Sequence, residues 1–238
     1  MFSYAASFGK AEIDNQTLKK IREPLTALNS ISVREKTAAD IIERHFDKQV
    51  RIVTDPVLLL ERKDWETILP VAHTKEKYIF VYSTHLNSLF REFLDNIKTK
   101  TGLKIIYAAA GPKQALKQGM LQVQTPEKWL QLLHDAEYVV TNSFHATAFS
   151  VLFHKKFFTV VNGDKEKGIN VRMNDFLTAI GLPDRIFSDI PSELDLSDID
   201  YTEVDYTIDA MRRKSIDFLR QNLEAAYQRK KEQEAVSQ

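Results

Sequence analysis

The residues of this chain best placed to do chemistry lie in Val139-Val140-Thr141-Asn142-Ser143-Phe144-His145. A β-branched apolar run gives way to three small polar residues and then to an apolar, helix-forming segment. That pattern is a buried parallel strand handing over to a helix. Thr141, Asn142 and Ser143 either cap the helix or offer side-chain donors to a bound phosphoryl group or sugar. His145 falls in the first helical turn, beside backbone N–H groups that have no intrahelical partner, and such a place favours anions, phosphate above all. An imidazole there can hold a phosphate or move a proton, because a histidine ordinarily titrates near neutrality. The plain alternative is a helix-start histidine bonded to a neighbouring carbonyl.

Arg34 also follows a strand and opens a helix, in Ile31-Ser32-Val33-Arg34-Glu35. Its planar fork suits bidentate capture of a carboxylate or phosphate. The competing reading is a surface arginine paired with Glu35 or Glu43. Arg172 and Arg185 flank a short helical segment with the same two readings, and Ser7, Tyr4 and Lys10 border the end of the first strand. The six histidines and the carboxylates show no metal-ligand spacing, so no metal is expected. There is no phosphate-binding P-loop and no nucleophile elbow, and seven glycines leave no dinucleotide fingerprint. Trp65 and Trp129 read as core residues.

Alternating strands and helices must position these groups. Strands are expected at 3–8, 30–33 and 50–54, with helices at 16–28, interrupted near Pro24, and at 38–46. A loop follows, with Trp65 in it. From Lys77 the pattern restarts: strand 78–82, helix 86–100 stopped by Gly102, and strand 103–109. Next come an irregular segment at 110–125, a helix at 127–136 capped by Thr125, strand 138–140, a helix from Phe144, strand 157–161 and helix 174–180. Repeated βα units predict doubly wound parallel sheets with ligands at the carboxyl ends of the strands. Two Rossmann-like units are therefore expected, a partial one at 1–62 and a second at 75–190. An acidic linker and a charged helix follow at 191–238. The helix carries one apolar face, Ile208, Met211, Phe218, Leu219, Leu223 and Tyr227, and a basic run, Arg212-Arg213-Lys214, that reads as a solvated face with room for peripheral membrane contact.

Lysine and arginine balance aspartate and glutamate at 33 each, so no global field recruits nucleic acid. The absence of cysteine excludes disulfides and thiolate metal sites. No apolar run approaches the ~20 residues of a membrane span, and the first residues lack the pattern of a secretory leader. A cytoplasmic protein is the expectation.

Taken in order, Ser3-Tyr4-Ala5-Ala6-Ser7-Phe8-Gly9, Ile31-Ser32-Val33-Arg34-Glu35, Thr54-Asp55-Pro56 with Leu58-Leu59-Leu60 and Trp65, and Val139-Val140-Thr141-Asn142-Ser143-Phe144-His145 resemble the polysaccharide pyruvyl transferase family. Arg172, Gly181-Leu182 and Arg185 fit its later pattern. The resemblance spans residues 3–187. It implies a two-domain, glycosyltransferase-B-like fold whose first domain is incomplete in this chain. It also implies transfer of a pyruvyl group from phosphoenolpyruvate to a sugar hydroxyl pair as a ketal, with no further cofactor, in cell-surface or exopolysaccharide biosynthesis. The acceptor would be a saccharide or lipid-linked saccharide, and a homo-oligomer is compatible with this. Donor binding and catalysis map onto Arg34 and His145, with Ser7, Thr141, Asn142, Ser143, Arg172 and Arg185 as substrate contacts. Many members place an arginine two residues before the histidine, where this chain has Ser143. Two alternatives stand beside this reading: a sugar-nucleotide-dependent glycosyltransferase of the same fold, and a shortened, non-catalytic binding module.

Overall fold

A computed structural model describes residues 1–70, 76–83, 86–109, 121–122, 125–161 and 171–236. The chain divides into two compact units, Met1–Leu59 with Asp205–Gln238, and Leu60–Val204. The segment 191–238, expected to stand apart, is thus shared between them. Leu194 joins the core of the second unit and Phe218 that of the first.

The first unit holds a three-stranded parallel sheet in the order β1 (Phe2–Ala6), β2 (Ser30–Val33), β3 (Val50–Ile52). Helices α1 (Asn15–Thr26) and α2 (Lys36–Phe46) cover one face, where Leu18, Ile31, Val33, Ile41, Ile42 and Phe46 form the core. Asp14 caps α1 through Thr17 N at 2.8 Å. Pro24 does not interrupt α1: the helix runs through it to Thr26, so the one backbone bond it cannot make lies two residues from the helix's end. The other face packs Ala5 and Val53 against Phe218 of the long C-terminal helix, whose ring lies 6.1 Å from Phe2 and 6.4 Å from Tyr4.

Strand β1 carries an irregularity between Ser3 and Ala6, and Ala5 adopts φ +51°. A left-handed alanine costs about 1–2 kcal/mol, so its surroundings must enforce it. The fully buried Ser32 does so: its hydroxyl donates to Ser3 O at 2.9 Å and accepts from Ala5 N at 3.1 Å. The bulge bends the strand end and re-aims Ser7-Phe8-Gly9, where Gly9 takes φ +62° at no side-chain cost.

The second unit begins with helix α3 (Arg62–Glu66), so Trp65, expected in a loop, is helical; its ring meets Phe149 edge-on at 5.0 Å. Strands β4 (Tyr78–Tyr82), β5 (Lys104–Ala109), β6 (Leu121–Gln122), β7 (Tyr138–Thr141), β8 (Lys156–Val160) and β9 (Ile186–Phe187) form one parallel sheet in the order β6-β5-β4-β7-β8-β9. That is the doubly wound order, reversing direction between β4 and β7. Helix α4 (Ser88–Thr101) lies on one face through Phe90, Phe93, Leu94 and Ile97, and ends at Gly102 with φ +68°. Helices α5 (Pro126–Asp135) and α6 (Phe144–Leu152) belong to the other, where Trp129 meets Phe80 at 5.9 Å and Phe149 at 6.0 Å. Thr125 caps α5 as expected. Most of the segment 110–125 lies outside the described residues. Helix α7 (Val171–Ala179) stops before Gly181.

The last helix, α8 (Thr202–Val236), is longer than expected. Ile208 and Phe218 are buried, but Leu223 and Tyr227, expected on the same packed face, are exposed. Arg212, expected in solvent, is buried instead: its Nε donates to Leu58 O at 2.8 Å and it pairs with Asp209. A carbonyl left over at the end of a short helical turn needs a donor, and the guanidinium supplies it. No described helix is long and apolar enough to cross a membrane.

Two tests follow from this packing. Ser32→Ala leaves Ala5 N and Ser3 O unsatisfied in the core and is expected to lower unfolding free energy by about 1–3 kcal/mol in urea melts. At the amino ends of the second sheet, Glu137 pairs with Lys156 at 3.0 Å and Lys77 at 3.1 Å. Burial alone would raise its pKa, but the bonds from Lys156 and Lys77 outweigh burial and lower it. A lowered glutamate stabilises the fold above its unfolded pKa and loses that contribution as pH falls through the folded value. The stability gap between the native chain and Glu137→Gln should therefore close on acidification below the ordinary value of 4.5.

Candidate functional site

Each unit brings its own set of candidate groups to the carboxyl ends of its strands. In the first, the sequence places a charged residue after two adjacent strands: Arg34 after β2, and Asp55 after β3. Parallel pairing then holds their backbones side by side, with Val53 N donating to Val33 O at 2.9 Å and Arg34 N to Ala6 O at 3.2 Å. The consequence is an ion pair of 2.6 Å between Arg34 Nη1 and Asp55 Oδ2, with the side chains only 17% and 2% exposed. Arg34 is therefore no surface arginine, and its main partner is not Glu43.

Glu35 is equally buried. Its Oε1 accepts from Phe8 N at 3.0 Å and Gly9 N at 3.3 Å, and its Oε2 lies 3.9 Å from Arg34 Nε. Ser7, next to this cluster in the β1 turn, keeps a buried hydroxyl with no hydrogen-bond partner among the described residues. It also borders a cavity of about 430 Å³ that is lined mainly by apolar side chains, among them Phe8, Ile21, Leu25 and Val33.

In the second unit the site residues sit where the strand order reverses, the place at which doubly wound sheets open a crevice. Thr141 ends β7, and its hydroxyl donates to Tyr82 O at the end of β4, at 2.5 Å, while accepting from Ser143 N at 3.0 Å. Thr141 is fully buried, so its hydroxyl serves the turn. Ser143 holds the N-cap position of α6 without a side-chain cap bond, although its carbonyl accepts the first helical bond from Thr147 N at 3.0 Å. His145 is exposed in the first turn of α6, edge-on to Phe144 at 5.6 Å. Asn142, just before the N-cap, is half-buried.

The two remaining arginines differ. Arg172 stands at the start of α7, which meets α6 through Phe144 and Phe176 at 5.7 Å, and its buried Nε finds no hydrogen-bond partner among the described residues. Arg185 is buried and engaged by Asp195 at 3.2 Å and Asp184 at 3.4 Å, so its charge is balanced within the protein. The sequence reading did not single out Asp55 or Glu35 as site residues. The available signal was the charged residue following each of two neighbouring strands.

The chain thus holds two parallel-sheet α/β units, each with polar and charged groups gathered at its strand ends. The family model of polysaccharide pyruvyl transferases matches residues 1–164, and the chain belongs to that family. No curated protein matches. Among solved structures, the chain is similar to the wall teichoic acid polymerase TagF, at 12% identity over 94% of this chain and 64% of that chain, with a TM-score of 0.48. One TagF variant gives 13% identity, 94% and 65% coverage and a TM-score of 0.47. The chain thus spans just under two thirds of the length of the TagF chains it matches.

The buried ion pair supplies a stability test. Asp55→Asn removes the closer partner of a buried guanidinium, leaving Glu35 at 3.9 Å, and is expected to cost about 3–5 kcal/mol. Adding Arg34→Met removes the guanidinium that lost its close partner and should restore part of that loss, as measured by urea unfolding.

Proposed function

We propose that this chain transfers a pyruvyl group from phosphoenolpyruvate to two hydroxyls of a sugar, forming a cyclic ketal and releasing inorganic phosphate. The observation that carries the reading is His145, exposed in the first turn of α6 at the reversal point of the second sheet. First-turn N–H groups and the helix dipole favour a phosphate there without a metal ion. Family membership supports the transferase chemistry, and the acceptor is accordingly a saccharide.

The steps balance as follows. A proton adds to the methylene carbon of the enol phosphate, leaving cationic character on the adjacent carbon. One sugar hydroxyl attacks that carbon, forming a C–O bond and giving up its proton. The bond between that carbon and the phosphate ester oxygen then breaks, and phosphate leaves with both electrons. The second hydroxyl attacks the resulting cation, loses its proton and closes the ring. Of the two protons released, one replaces the proton consumed and the other is taken up by phosphate or solvent. His145 is assigned the proton transfers and a contact to the phosphate. Arg34 is assigned a contact to the donor's carboxylate or phosphate, presented by its pairing with Asp55. Asn142, Ser143 and Arg172 are assigned substrate contacts.

The test is phosphate release from phosphoenolpyruvate in the presence of a panel of saccharides, followed by ³¹P NMR, with the ketal methyl signal read by ¹H NMR. The native chain should release phosphate only when a saccharide becomes pyruvylated. His145→Ala should lower kcat by about 10²–10⁴-fold while melting at the native temperature. A folded His145→Ala chain that retains full transfer would contradict the assignment.

A further inference from the structure

Glu35 occupies the N-cap position of α2 yet makes no capping bond. An acidic side chain there ordinarily turns back to the first helical N–H groups. This one is committed elsewhere. Oε1 accepts two backbone N–H groups from the turn after β1, and Oε2 faces Arg34 Nε at ion-pair distance. Oε2 is itself buried and receives no hydrogen bond among the described residues, and the guanidinium lies 3.9 Å from it. At 2% exposure these contacts act with little screening by water.

From this geometry we infer that Glu35 is a positioning residue, which locks the Ser7-Phe8-Gly9 turn and the Arg34 guanidinium into one body so that both meet a ligand together. Asp55 bonds one end of the guanidinium through Nη1 at 2.6 Å, and Glu35 lies 3.9 Å from Nε at the other, beyond hydrogen-bond range, so its buried charge biases the fork's orientation electrostatically. The arrangement places one positive charge against two negative ones. Attraction for an anion therefore rests on the direction of the N–H groups rather than on net charge, and loss of orientation should weaken donor binding. The role in catalysis rests on the proposed transfer from phosphoenolpyruvate; the structural coupling does not.

Two substitutions separate the two oxygens. Glu35→Gln keeps an acceptor for the turn amides but sets an NH₂ group against Arg34 Nε–H, donor against donor. Glu35→Ala removes both contacts. In Glu35→Gln, hydrogen exchange at Phe8 and Gly9 should stay slow and the melting temperature near native. The KM for phosphoenolpyruvate should rise about tenfold, as when a supporting contact behind a ligand-binding group is lost, with a smaller change in kcat. In Glu35→Ala, the Phe8 and Gly9 amides should also lose protection. A lowered melting temperature in either variant with KM unchanged would show a merely structural role and overturn the inference. If Glu35→Ala fails to fold, Glu35→Gln decides. If the native chain does not turn over phosphoenolpyruvate, the proposed reaction fails, and the Arg34 Nε–H resonance decides the coupling. Its chemical shift should move in Glu35→Gln while the turn amides stay protected, and an unchanged shift would overturn the inference.

Discussion

A guanidinium buried in a protein must be neutralised where it sits, and in the first unit that requirement organises three strand ends at once. Arg34 follows β2, Asp55 follows β3, and the turn after β1 is tied to Glu35. The charge of Arg34, paired with Asp55 and faced by Glu35, thus also ties these strand ends to one another. Ser32, one face over, enforces the left-handed Ala5 that bends β1 toward this cluster. A polar serine in the middle of a buried strand would otherwise be a liability, and here it satisfies the two backbone groups the bulge disrupts.

The second unit solves a different problem. Its parallel sheet is largely apolar on both faces, so its polar groups gather mainly at the strand ends, and the strand order reverses between β4 and β7. Thr141 satisfies two backbone groups of the turn with its single hydroxyl, and Asn142, Ser143 and His145 follow it at the start of α6. The threonine holds the turn, and the histidine is exposed in the helical turn that follows.

Much of this was legible in the sequence. Apolar runs of four or five residues alternating with amphipathic segments predicted most of the strands and helices that are described. The Thr-Asn-Ser-Phe-His handover announced α6 before any coordinates. Burial of charge was harder to read. Nothing local distinguishes Arg34 from a surface arginine, because its depth depends on Asp55, a residue on another strand end. Arg212 misled for the same reason: it sits in a basic run, but a carbonyl at Leu58, far away in sequence, draws it inward. Leu223 and Tyr227 show the converse. They continue the apolar periodicity of α8, yet helical spacing records which face a residue shares and not whether anything packs there. Pro24 was read as a break, although its cost depends on its distance from the helix end.

Whether phosphoenolpyruvate is the donor is read most directly from thermal melts of the native chain with phosphoenolpyruvate, with a UDP-sugar as the control. A ligand that binds only the folded state raises stability, by about 2.7 kcal/mol at a hundredfold excess over its dissociation constant. Phosphoenolpyruvate should raise the melting temperature, and Arg34→Ala and His145→Ala should each diminish the shift. A rise with the UDP-sugar and none with phosphoenolpyruvate would contradict pyruvyl transfer and point to a sugar-nucleotide donor.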